Sequence, residues 1–415
     1  MTTLTDPPRE SFRPSMLIYD TRYRSMTIQI VALIGFLLLI GWLISNTAQN
    51  LATLGKEPNF GFLGEPAGYD INQRLLDYNS QDTHLRASFI GLLNTLLVAF
   101  MGCVTATILG VVIGVLRLSK NWLIAKLMTV YVEFFRNVPV LLWIVFTMAV
   151  LIETLPSPRA FKGVETGSVV FTNRGVYVPE PLFSNSLGDI HLFGASSLRF
   201  DVSLDLIAIL VLLAASIFAI RKVNARAQGI QEATGDRPKT WYVNLAILFV
   251  PMIILLVVLG FHLGYPELKG FNFKGGTYMR NSLIALWLAL SLYTAAFIAE
   301  IVRAGILAIS HGQTEAAAAL GLRSNRIMSL VVLPQALRVI IPPLISNYLN
   351  LTKNSSLAIA VGYMDITGTL GGITLNQTGR ELETLLLLML CYLVISLSIS
   401  AVMNWYNESV KLKER

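Results

Sequence analysis

Residues Ile30-Val31-Ala32-Leu33-Ile34-Gly35-Phe36-Leu37-Leu38-Leu39-Ile40-Gly41-Trp42-Leu43-Ile44 form the centre of an uncharged run over 28–45. A helix rises about 1.5 Å per residue, so roughly 20 mostly apolar residues cross the hydrocarbon of a bilayer. About 27 mostly polar residues precede the run, and no small-x-small cleavage site follows it, so it reads as a retained anchor and not as a cleaved leader. Seven further stretches have the same character, at approximately 89–116, 137–155, 203–220, 241–263, 282–306, 338–361 and 384–405. Glu133 and Arg136 stand just before the apolar part of the third. The seventh carries Pro342, Pro343 and a polar run, which predict a kinked or broken helix.

The composition agrees. Of 415 residues, 54% are apolar and 14% charged, and the mean hydropathy is +0.62. Soluble domains average about 45–50% apolar and about 25% charged, so a soluble globule of this length could not cover itself with polar groups. Disorder, collagen and coiled coil need a more polar or more periodic chain. The short alternating segments of a membrane barrel are missing. Cys103 and Cys391 lie inside apolar runs, and the four histidines His84, His191, His262 and His311 are scattered. Neither a disulfide scaffold nor a metal site is expected. The fold class is an all-α membrane protein with about eight transmembrane helices.

Orientation follows from lysine and arginine. With the N-terminus inside, the segments 1–27, 117–127, 221–243, 307–337 and 406–415 hold 17 of these residues in about 102 positions; the outside segments hold 11 in about 130. The densest short loop is 221–243, with Arg221, Lys222, Arg226, Arg237 and Lys239. Both ends are therefore placed inside, and the net charge of +7 is spent on topology. It does not suggest nucleic acid, because no basic and aromatic patch gathers on a soluble domain. The outside loops 46–88 and 154–202, punctuated by Gly, Pro and Asn, read as ordered caps without a core of their own.

The inside loop 307–337 is different. It runs Ser310-His311-Gly312-Gln313-Thr314-Glu315-Ala316-Ala317-Ala318-Ala319-Leu320-Gly321, and later Val331-Val332-Leu333-Pro334. Thr314 reads as a helix cap, Glu315 as an acidic first-turn residue, and Gly321 as a stop in the left-handed conformation. A short alanine-rich helix is marginal alone, and its small side chains suit a groove on another protein. A surface connector that contacts nothing is the alternative reading.

These residues resemble a known family. Glu315-Ala316-Ala317, three residues, Gly321, nine residues, then Val331-Val332-Leu333-Pro334 keeps the spacing of the signature loop of ABC importer permeases, with Val331 in place of the usual isoleucine. Tyr293-Thr294-Ala295-Ala296-Phe297-Ile298-Ala299-Glu300-Ile301-Val302-Arg303 is similar to the polar amino acid branch of that family. So are Tyr131-Val132-Glu133-Phe134-Phe135-Arg136-Asn137-Val138-Pro139 and Lys353-Asn354-Ser355-Ser356-Leu357. Toward the N-terminus, Leu17-Ile18-Tyr19-Asp20, Asn46-Thr47-Ala48-Gln49-Asn50-Leu51 and the stretch from Phe60 to Ile71 resemble the long permeases of general L-amino acid and glutamate/glutamine/aspartate importers of Gram-negative bacteria.

The resemblance implies a type I ABC importer transmembrane domain in the inner membrane. Its parts would be a cytoplasmic segment 1–27, an anchor and periplasmic loop 28–88, a permease domain 89–405 and a cytoplasmic tail 406–415. The permease domain would include an extra periplasmic loop and two spans at 156–263 and the coupling loop 307–337. It implies as partners a second homologous permease in a heterodimer, two copies of a cytoplasmic ATPase and a periplasmic amino-acid-binding protein. The chain has no phosphate-binding loop of its own; Gly55-Lys56 is followed by Glu57. ATP and magnesium would sit on the ATPase, and no cofactor or enzymatic activity is expected of this chain.

Individual residues sharpen the expectation. Glu315 would pair with a basic residue of the ATPase or merely cap its helix; Gly321 would turn the loop, and Leu333 and Pro334 set its return. Glu300 and Arg303 share a helix face, as a stabilising ion pair or as part of a gate. Asn347, Asn350 and Asn354 also share a face, with Lys353 beside them, and polar residues at membrane depth line a path or bond between helices. Asn94 and Arg136 are weaker candidates. An ion-gradient transporter would show two similar halves with paired broken helices, and a channel or scaffold needs no alanine-rich loop. Neither pattern fits.

Overall fold

The computed structural model of the chain describes residues 16–53, 55, 58–163, 167–194 and 196–410. Residues 1–15 of the inner N-terminal segment, Lys56 and Glu57, and the last five residues of the inner tail lie outside the described residues. Among the described residues, eight helices are long and apolar enough to cross a membrane, the number expected.

The chain divides into two units, Met1–Phe60 and Gly61–Arg415. In the first, α1 (Met16–Tyr19) leads into α2 (Thr21–Thr53). None of the apolar window of α2 is buried, so as a helix it is apolar all round and suited to lipid. The second unit holds α3 (His84–Leu116), α4 (Trp122–Arg136), α5 (Val140–Thr154), α6 (Leu204–Thr234), α7 (Trp241–Val258), α8 (Asn281–Leu307), α9 (His311–Ala319), α10 (Ser324–Ile327), α11 (Leu333–Asn354), α12 (Leu375–Thr378) and α13 (Glu381–Val410). The loop after residue 60 belongs with this unit because Tyr69, Ile71 and Tyr78 bury themselves beside Ala87 and Ile90 of α3.

The most buried span is α8, and α3 packs on it more extensively than any other element does. The reason is a row of small residues. Ala106, Gly110 and Gly114 of α3 are four apart and lie on one face toward α8, while Gly102, one step earlier, meets Leu351 of α11. A methyl group built on Gly110 would lie 2.6 Å from Cβ of Ile298, and one on Gly114 2.7 Å from the carbonyl of Ala299. Backbone therefore meets backbone, which is how helices gain dispersion energy in lipid. On another side of α8, Gly305 meets Ile340 of α11 in the same way.

A separate helix precedes the third span, Val140–Phe161. Asn121 caps α4, its side chain accepting from the backbone N–H groups of Leu123 and Ile124. The helix stops at Arg136, since Pro139 disfavours helical backbone at the residue before it. Phe134 and Phe135 then pack on Trp143 of α5, with ring centroids 4.9 and 4.5 Å apart.

One expectation is narrowed and another is corrected. The seventh span, Ser324–Val361, is not broken at its prolines: α11 runs through Pro342 and Pro343. Two N–H donors are lost there, but α8 and α13 pack along the helix and hold it across the gap. Its irregularities are a π-helical turn at Met328–Val332 and a 3-10 segment at Ser355–Val361, ended by Gly362 at φ 67°. A second π-helical turn, Thr367–Thr374, precedes α12.

The outer loops also do more than cap. They form β1 (Val170–Thr172), β2 (Gly175–Val178), β3 (Glu180–Phe183), β4 (Asp189–Leu192), β5 (Phe200–Ser203), β6 (Phe261–Gly264), β7 (Glu267–Lys269), β8 (Asn272–Lys274) and β9 (Thr277–Arg280). All pair antiparallel, in the orders β1-β2-β9, β3-β6, β4-β5 and β7-β8. Val170, Tyr177 and Phe273 make a small core beneath them. The strands are three or four residues long and come from segments on either side of the α6–α7 pair, so no local alternation announced them.

The glycine seam yields a first prediction. Gly110→Leu should cost the bundle at least about 1–3 kcal/mol by overpacking, read as a lower Tm and yield in detergent. Gly41→Leu in α2, where nothing lies within 4 Å, should leave both unchanged. Equal behaviour of the two variants would contradict the seam.

Candidate translocation pathway and coupling loop

The inner loop contains the expected helix, but it starts earlier than its sequence suggests. α9 begins at His311, with Ser310 in extended conformation before it. Thr314 is not the cap: its hydroxyl donates to the carbonyl of His311 at 2.7 Å, inside the helix. Glu315 is thus the fifth residue of α9 and takes no part in capping. Its side chain is exposed, with no hydrogen bond or ion pair among the described residues. Three polar residues, His311-Gly312-Gln313, extend the helix by most of a turn, and no periodic apolar signal marks them.

The other end of α9 is as expected. Gly321 has φ 80°, the N–H of Gly321 donates to Ala318 at 2.9 Å, and that of Leu322 to Ala317 at 3.3 Å. Ala317 is buried on Ile327 and Val332, with Ile306, Ile309, Leu322 and Val331 around them. The opposite face, with Glu315, Ala316 and Ala318, is open, and Leu320 is 83% exposed. Leu333 and Pro334 open α11 directly after the π-helical turn Met328–Val332.

Further into the bundle, Arg303 donates to Glu300 at 3.2 Å, the ion pair anticipated from their spacing. The structure adds two partners: Arg117, just past the end of α3, also donates to Glu300, and Arg136 of α4 approaches to 4.0 Å. One carboxylate thus joins three helices. Nothing in the sequence paired residues 117 and 300, which the glycine seam brings together.

The three asparagines do share a surface. Asn347, Asn350 and Asn354, with Leu351, line a cavity of about 320 Å³ whose other wall is Tyr293, Thr294 and Phe297 of α8. Asn347 donates from Nδ2 to the carbonyl of Pro343 at 2.9 Å. Lys353 is exposed and is not part of the lining. Asn94 is elsewhere and fully buried, donating to the carbonyls of Gln73 (2.7 Å) and Met364 (2.8 Å), which pins the outer segment onto α3.

That outer segment holds a residue the sequence did not single out. Asp365 is fully buried; it accepts from the N–H of Gly368 at 2.8 Å and from the hydroxyl of Tyr392 at 3.3 Å, and no cation pairs with it among the described residues. Burial pushes its carboxyl up from the ordinary 3.8 to about 6.

The chain matches the family described as binding-protein-dependent transport system inner membrane component over residues 240–412. It is 59% identical to the glutamate/glutamine/aspartate/asparagine transport system permease protein BztB of Rhodobacter capsulatus, in an alignment of 430 positions covering 100% of both chains. The chain belongs to the amino acid ABC transporter permeases. The permease is also 44% identical to the general L-amino acid transport system permease protein AapQ of Rhizobium johnstonii, over 98% of this chain and 96% of that one. The probable glutamine ABC transporter permease protein GlnM of Bacillus subtilis matches at 32% over 188 residues, 45% of this chain but 82% of the shorter protein. Membership makes the permease a multi-pass membrane component of an importer that works with an ATPase and a substrate-binding protein.

The buried carboxyl gives a second prediction. A raised folded-state value means that Asp365 favours folding at low pH, and that this contribution is lost as pH rises from about 3.8 through about 6. The interval corresponds to roughly 3 kcal/mol at most. Asp365→Asn keeps the shape and the acceptor, so its Tm should gain on the wild type between pH 4 and pH 7. A difference that does not change with pH would refute the buried, unpaired carboxylate.

Proposed function

We propose that this chain is the translocation subunit of an ATP-driven importer of polar L-amino acids, with acidic amino acids and their amides as the first substrates to test. In this reading it sits in the inner membrane of a Gram-negative bacterium and pairs with a second, homologous permease. Two copies of a cytoplasmic ATPase hold the ATP and magnesium, and a periplasmic binding protein delivers the amino acid. The permease itself binds no cofactor and catalyses no bond change.

The observation that carries the reading is α9. Its buried side is fixed by Ala317 on Ile327 and Val332, while its open side offers a carboxylate without a partner among small side chains. Such a helix is a handle: rigidly seated on its own chain and free to enter a groove on another. Glu315 supplies a charge for an arginine or lysine of the ATPase, and Leu320 adds an exposed apolar contact.

The cavity supports the substrate side. Asparagine amides both donate and accept, so Asn347, Asn350 and Asn354 can meet the carboxylate and the ammonium of an amino acid in turn. Uncharged walls of this kind hold a zwitterion without trapping it, which a path requires. The full-length relative named for glutamate, glutamine, aspartate and asparagine points to the same class.

Two experiments test this. Uptake by proteoliposomes carrying the assembled importer should need ATP and survive an ionophore; uptake without ATP that an ionophore abolishes would contradict it. Glu315→Arg should reduce co-purification of the ATPase and ATP-driven uptake at least tenfold while membrane insertion stays normal. Undiminished co-purification would remove the role given to Glu315.

A further inference from the structure

One helical turn from the cavity-lining Phe297, Glu300 makes contacts of unequal strength. Glu300 is joined to Arg303 within α8, so that pair moves as one body. Its contact with Arg117 is the closest of the three, and the Arg117 side chain is only 8% exposed, which makes it costly to break. Arg136 differs. It is 36% exposed, stands 4.0 Å from Glu300, and lays its guanidinium over the ring of Phe297 with Cζ 5.3 Å from the centroid. Half-exposed ion and cation–π contacts of that kind are weak enough to be made and broken repeatedly.

Position adds the rest. Tyr293, Phe297 and Glu300 are four and three apart on α8, so the wall of the cavity continues along one face to the carboxylate. Arg136 is the last residue of α4, and the break at residues 137–139 follows it, where backbone dihedrals can change without unwinding a helix. After α8 the chain needs only residues 308–310 to reach α9, so a pull on α9 is delivered to Glu300 along a continuous helix.

We propose that Arg136 is the movable bolt of the inner gate: resting on Phe297 and Glu300 it shuts the cavity toward the cytoplasmic side, and its release alone opens that end. Arg117 and Arg303 stay on Glu300 throughout, as positioning residues. The proposal rests on reading the cavity as the translocation path. It makes Phe297 the sealing surface, Glu300 the catch and the α4–α5 break the hinge.

The test is the accessibility of the cavity in the assembled importer. Cys103 and Cys391 are replaced by alanine, Asn350→Cys is introduced, and a membrane-impermeant maleimide is supplied on the cytoplasmic side in proteoliposomes without ATP. Arg136→Ala should speed labelling of position 350 at least tenfold and, in the protein that keeps Asn350, leave ATP hydrolysis running with uptake largely lost. Arg136→Lys, which keeps the charge but loses the planar stack, should fall between. A control cysteine at Ala289, buried in the core, should stay unlabelled in all of them. Unchanged labelling at 350 with normal coupled uptake overturns the bolt, and so does a rise at both 350 and 289, which would mean only a loosened bundle. The underlying reading fails differently: position 350 would then be labelled from neither side in any nucleotide state, and substitutions there would not touch uptake.

Discussion

Hydrocarbon gives two helices little reason to bury apolar surface against each other, because lipid tails are as apolar as leucine. What holds this bundle is close approach, and the closest is that of α3 on α8 through Gly110 and Gly114. Each of those positions lets main chain take the place of a side chain, and the dispersion gained along several turns is what larger residues would forfeit. Much else follows from that seam. It brings Arg117 to Glu300. It leaves α8 free to turn Tyr293, Thr294 and Phe297 toward α11 and the cavity.

The same helix joins the two functional regions. On its cavity face it lines the polar pocket; at its inner end it leads almost directly into α9, whose seat is made by Ile306, Ile309 and Ala317 with Ile327 and Val332. A movement imposed on α9 has no flexible linker in which to dissipate. The outer end is tied by different means. Asn94 and Thr95 hold the segment around Met364 and Ile366 by hydrogen bonds, and Asp365 organises that segment from within. On the proposed reading of the cavity as a path, hydrogen bonding at the outer end and the half-exposed Arg136 contact at the inner end would let the two ends open separately.

Much of this was legible in the sequence, for identifiable reasons. Eight apolar runs gave eight spans because length and hydropathy act locally. Gly321 gave its left-handed turn, and the spacing of Asn347, Asn350 and Asn354 put them on one surface, because both are properties of a few consecutive residues. What stayed hidden depended on distant neighbours. Thr314 looked like a cap, yet three polar residues before it joined the helix. Pro342 and Pro343 looked like a break, yet packing on both sides carried α11 through. The strand around Tyr177 pairs with a segment about a hundred residues away. Asp365 and Arg117 became interesting only once burial and partners were known. The glycines of α3 were ordinary small residues until α8 was laid against them.

On the proposed function, the open face of α9 is where the energy of ATP enters the chain. A photo-crosslinking amino acid at Ala318, on that face, tests it in the assembled importer, with the same group at Lys269 of the outer strand β7 as the reference. An adduct with the ATPase is expected from position 318, strengthened or weakened by nucleotide, and none from position 269. No ATPase adduct from position 318, or equal adducts from both positions, would contradict it.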